Sequence, residues 1–217
     1  MKILPASDCS LLISFGDAIS LEAHQQVLQL MHALAEPMVG IRNLHPAFAS
    51  VLVDFDPRRV SHAQIESLIR QRIAVAAPVP RSENRVVEIP VCYGGEFGPD
   101  LADVARHTGL PAERVVELHA SVEYRVYFLG FSPGFPYLGG MPPELATPRL
   151  PAPRKRVPVG SVAIGGAQTG IYSVESPGGW RLIGRTALHL FDAEAEPPAA
   201  LQIGDRVRFK PVKELRG

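Results

Sequence analysis

Between Phe128 and Thr186 stand six basic residues against two acidic ones, in a chain whose 22 Lys and Arg balance 22 Asp and Glu. The densest cluster is Arg154-Lys155-Arg156, inside Pro-x-Pro-Arg-Lys-Arg-Val-Pro, and Arg181 and Arg185 flank a second, glycine-rich turn. Guanidinium groups pair bidentately with carboxylate or phosphate, and the free N–H groups of glycine turns form anion nests. Gln168 and Thr169, set between glycines, add neutral donors and acceptors. Arg154, Arg156, Gln168, Thr169, Arg181 and Arg185 are therefore candidates for holding an anionic substrate. Phe135, Tyr137 and Trp180 (the only tryptophan) are candidates for a pocket wall or an interface. A tightly turned barrel with solvated arginines and a packed tryptophan would show the same residues.

Other chemistries find less support. Gly130-Phe131-Ser132-Pro133-Gly134 matches the G-x-S-x-G nucleophile elbow. That elbow needs the N–H after its serine for an oxyanion hole, and Pro133 has none. There is no P-loop and no dinucleotide fingerprint, so a bound nucleotide would be held in another way. The seven histidines show no metal-site spacing and neither cysteine lies in a C-x-x-C, so no metal site is expected. His24 and His32 are read as solvated or satisfied helix edges. The other five histidines, His119 among them, are read as surface residues. None of these patterns assigns a catalytic residue.

The elements that position these groups are short. Eleven of the 19 glycines and nine of the 21 prolines lie between Phe128 and Thr186, so the backbone is specified turn by turn. The apolar runs Val157–Ile164, Gly170–Val174, Trp180–Gly184, Ala187–Phe191 and Arg206–Phe209 read as strands of a barrel or sandwich. Ahead of them, Val86–Tyr93 reads as a strand, Pro99 and Asp100 as a helix start, and Pro111 as another. Ser20 reads as an N-cap, and Ser61-His62-Ala63-Gln64 has the form of a capping box. With four short strands these give the order β-β-α-β-β-α, an α+β unit with helices on one face of an antiparallel sheet. The expected organisation is an α+β domain over 1–76, a Pro-rich polar linker over 77–85, and a β-barrel domain over 86–217.

With 217 residues the chain suits one large or two small domains. Its neutral balance argues against nucleic acid or a polybasic membrane surface as partner. No apolar run reaches a membrane span, no signal-peptide core follows Met1, and two cysteines make no disulfide framework, so a cytoplasmic location is expected.

Five segments in this order carry a resemblance: Cys92–Leu101, Phe131–Leu138, Arg154–Val162, Gly166–Tyr172 and Ser176–Thr186. They resemble the KipI family, also called allophanate hydrolase subunit 1, which includes the B component (PxpB) of the ATP-dependent 5-oxoprolinase. The resemblance implies a cyclophilin-like barrel following the α+β domain. It implies one component of an enzyme that opens 5-oxo-L-proline to L-glutamate with ATP as co-substrate, inactive without its partner chains. Those partners would be the C component (KipA-like, allophanate hydrolase subunit 2) and a third 5-oxoprolinase subunit. Two alternatives come with it: a regulator that docks on a sensor histidine kinase, and a carboxyltransferase component of a urea carboxylase-type enzyme.

Overall fold

Ser20 accepts a hydrogen bond from Ala23 N and starts α1 (Leu21–Ala33); Ser61 and Gln64 close the capping box that starts α2 (His62–Val75). In this computed structural model, which describes residues 1–76 and 85–215, these helices belong to the first of two compact units, Met1–Glu83 and Asn84–Gly217. The linker expected over 77–85 lies outside the described residues except for Arg85. The strands of the first unit are β1 (Lys2–Ser7), β2 (Ser10–Ser14), β3 (Ile41–Pro46) and β4 (Ser50–Phe55). They pair antiparallel in the order β1-β2-β4-β3. Alternation along β4 buries Val51, Val53 and Phe55, which pack with Val27 and Leu30 of α1 and Ile65 and Ile69 of α2.

The second unit opens with β5 (Val86–Tyr93), followed by α3 (Leu101–Thr108), α4 (Ala112–Ser121), β6 (Tyr124–Leu129) and β7 (Pro136–Gly139). Then come β8 (Arg154–Val157), β9 (Ser161–Gly165), β10 (Gln168–Ile171), β11 (Ser176–Gly178), β12 (Arg181–Arg185) and β13 (Arg206–Pro211). Seven strands close a barrel in the order β10-β7-β6-β13-β5-β12-β9, and β8 and β11 form a separate pair. The first and last strands, β5 and β13, lie parallel at the centre of that order.

β9 is buried at every position because both of its faces are covered. Val162 and Ile164 join the main core with Ile89, Tyr124, Leu138, Ile183 and Phe209, while Ala163 joins a second cluster of Phe135, Val157, Tyr172, Trp180 and Leu182. No helix among the described residues is long and apolar enough to cross a membrane.

Two local readings differ from the structure, and one strand escapes the sequence reading. The run from Val157 to Ile164 is two strands, interrupted over Pro158–Gly160. Pro136–Gly139 is a strand with proline at its first residue, where a missing donor is tolerated. Ala187–Phe191 is a loop, because Leu188 N bonds Thr186 Oγ1 and Leu190 sinks into the core, leaving only a bridge from Phe191 to Ala199.

Candidate functional site

The second cluster builds an aromatic hollow on the barrel. Phe135, just ahead of β7, sits at its centre. Its ring meets those of Tyr137, Tyr172 and Trp180 edge-on, with centroids 5.1, 5.4 and 5.7 Å away. Such edge-to-face pairs contribute about 0.5–1.5 kcal/mol each beyond area burial. The close fit depends on bare backbone. A Cβ on Gly165 would lie 2.5 Å from the Trp180 ring, and one on Gly178 would lie 2.2 Å from the Tyr172 hydroxyl. Gly178 is placed by β11 opposite Arg154 of β8, and Gly179 O accepts from Leu150 N.

The hollow holds about 100 Å³ and is lined by these four aromatic residues, Phe131, Arg149, Gly178 and Gly179. Phe131 stands at its mouth, 61% exposed, with φ 65°. A non-glycine residue in the left-handed region costs about 1–3 kcal/mol, and such strain clusters at ligand sites. The guanidinium of Arg149 lies over Trp180, 5.7 Å from the ring centroid. Burial raises the phenol pKa values of Tyr137 and Tyr172 despite the opposing charge of Arg149, so both hydroxyls are protonated donors at neutral pH.

Phe135, Tyr137 and Trp180 are thus brought together in one hollow. Three of the four nominated arginines gather instead around the segment Phe97–Asp103. Arg154 pairs with Asp100 at 2.7 Å and Arg181 with Asp103 at 3.0 Å. Arg185 lies over the Phe97 ring at 5.3 Å, with its buried Nε unbonded among the described residues. Arg156 stands apart, forked onto Glu175. Gln168 is half-buried at the start of β10. Thr169 is fully buried and donates to Ala163 O, so it faces the interior. Ser132, in the elbow-like sequence, lies 3.4 Å from Ser173 Oγ, and Ser173 itself donates to Pro133 O. Among the described residues no three His, Cys, Asp or Glu side chains gather as a metal site.

One residue of the site and two buried histidines outside it escape a reading by sequence. Arg149 stands alone between Pro148 and Leu150, outside any basic cluster, and only the fold brings it beside Trp180. His119, read as a surface residue, is fully buried because α4 packs against β13, and its ring stacks on Phe209 at 4.6 Å. His24, read as a helix edge, is buried on α1.

A family model described as the carboxyltransferase domain, subdomain C and D, matches residues 1–201. The B component of the 5-oxoprolinase of Bacillus subtilis is 43% identical, over 98% of this chain and 93% of that one. The crystal structure of TTHA0988 superposes with a TM-score of 0.85 at 41% identity, covering 94% of this chain. This chain spans only 40% of the length of that protein. Urea amidolyase of K. lactis shares the fold alone, with a TM-score of 0.79 at 21% identity over 97% of this chain and 15% of its own.

Proposed function

Because the chain belongs to the carboxyltransferase domain family, subdomains C and D, we propose that it is the B component of an ATP-dependent 5-oxoprolinase, which opens 5-oxo-L-proline to L-glutamate. The observation that carries this reading is the 43% identity to the Bacillus subtilis protein over nearly the whole of both chains. Under the same reading the chain works with a KipA-like C component and a third component and is inactive alone. A lactam is a resonance-stabilised amide that resists water, so coupling its opening to ATP is chemically reasonable.

The aromatic hollow itself does not fit the nucleotide. The hollow of about 100 Å³ is well below the roughly 300–1,000 Å³ of pockets for larger ligands. Arg154, Arg156 and Arg181 already hold carboxylates. The hollow is therefore not the site of the ATP contacts under this reading. In this chain the paired arginines brace Asp100 and Asp103 beside the hollow-bearing strands, and Arg185 is the nominated cation that holds no carboxylate among the described residues.

The test is reconstitution. The purified chain, the KipA-like component and the third component should together release phosphate only when 5-oxoproline is present, and omission of this chain should abolish the release. Release that is unchanged without this chain overturns the reading. The match to a carboxyltransferase domain model supports a second reading, a carboxyltransferase component, which predicts carboxyl transfer from a carboxylated biotin carrier and no 5-oxoproline-dependent phosphate release.

A further inference from the structure

The aromatic hollow combines a small volume, flat walls, a backbone floor and one cation with no carboxylate to hold. Resting on the reading above, we infer that it is a substrate subsite for a single small planar ring bearing a carboxylate, and that Arg149 is the residue that receives that carboxylate. At about 30 Å³ for each water in the liquid, a volume of about 100 Å³ equals about three waters. That suits one small ring and is too small to enclose a whole nucleotide. Phe135 and Trp180 are 2% and 6% exposed, so the surface free to meet a flat lactam is that of Phe131, 61% exposed, together with the backbone of Gly178 and Gly179. At Gly178 and Gly179 the floor is bare backbone, and a side chain at Gly178 would collide with Tyr172.

Position and charge together decide which cation serves, since Arg185 also holds no carboxylate among the described residues but does not line the hollow. Arg154, Arg156 and Arg181 would each have to abandon a carboxylate to bind a ligand. Arg149 has no ion-pair partner among the described residues and is exposed beside Trp180, so a substrate carboxylate gives it charge-assisted hydrogen bonds at no such cost. Phe131, edge-on to Phe135 at 5.4 Å and strained at the mouth, is placed to cover a bound ring.

Trp180 is the only tryptophan, so fluorescence excited selectively at tryptophan reports the hollow. Titration with 5-oxo-L-proline should give a saturable change. With 2-pyrrolidinone, the same ring without its carboxylate, binding should be at least tenfold weaker. Arg149→Gln should weaken 5-oxoproline binding at least tenfold and leave 2-pyrrolidinone unaffected; in the reconstituted complex it should raise KM at least tenfold with kcat retained. The inference is overturned if neither the chain nor the complex shows a saturable response, or if Arg149→Gln leaves affinity and KM unchanged. A wild-type complex that turns over under either of those outcomes keeps the functional reading and loses the subsite. Saturable, Arg149-dependent binding without turnover keeps the subsite and loses the reading.

Discussion

The ring of His119 lies between Tyr124 and Phe209 inside the second unit, with its Nε2 2.9 Å from Thr169 Oγ1 and its Nδ1 2.7 Å from the Tyr93 hydroxyl. Thr169 spends its proton on Ala163 O, so Nε2 donates to Thr169 and Nδ1 accepts from Tyr93. The tautomer is fixed. Burial in this apolar shell lowers the His119 pKa to about 3. Between that value and the ordinary value near 6.5, the unfolded chain binds a proton that the folded chain does not, so stability rises with pH across the window. Going from pH 7 to pH 5 should therefore cost about 2 kcal/mol through this residue. In His119→Gln the amide can make both hydrogen bonds but does not titrate. Urea unfolding at the two pH values should show an acid loss smaller than wild type by about that amount; equal losses would remove His119 as the cause.

At the level of elements, α3 is joined to two strands through one carboxylate. Asp100 Oδ1 accepts from Arg154 of β8, and Oδ2 accepts from Leu182 N of β12, both at 2.7 Å. The helix begins at Leu101 with Asp100 as its N-cap residue, two residues later than Pro99, the first helical residue that the sequence suggests. The carboxylate makes no capping bond to its own helix. A side chain committed to two strands cannot also turn back to cap. Asp100 is 5% exposed, so Asp100→Ala leaves a largely buried guanidinium and a backbone N–H without their acceptor. Removing one partner of a buried pair costs roughly 3 kcal/mol, and chemical denaturation followed at Trp180 should show a loss of that size. A loss below about 1 kcal/mol, the scale of an exposed pair, would show that the contact does not hold the helix.

For the molecule as a whole, the proposed division into domains 1–76 and 86–217 predicts separate unfolding. Ile13 and Leu138 are both fully buried, one in each unit. Alanine at such positions costs about 2–5 kcal/mol. Ile13→Ala should shift part of the far-UV circular dichroism transition and leave the Trp180 fluorescence transition in place, whereas Leu138→Ala should shift the fluorescence transition. If Ile13→Ala moves the tryptophan midpoint as far as Leu138→Ala does, the two units unfold as one.

Sequence alone determined the kinds of element and much of their order. The capping box at Ser61 and Gln64, the alternation of Val51, Val53 and Phe55, and the aromatic content of Phe135, Tyr137 and Trp180 depend on neighbours a few residues away or on side-chain type. Only the tertiary structure decided which cations are occupied. Arg154 and Arg181 meet carboxylates 54 and 78 positions distant, and the same strand pairing seals His119 inside and leaves Arg149 exposed beside Trp180. Charge pairing and desolvation are set by distances in space, and barrel closure fixes those distances between segments that no local pattern connects.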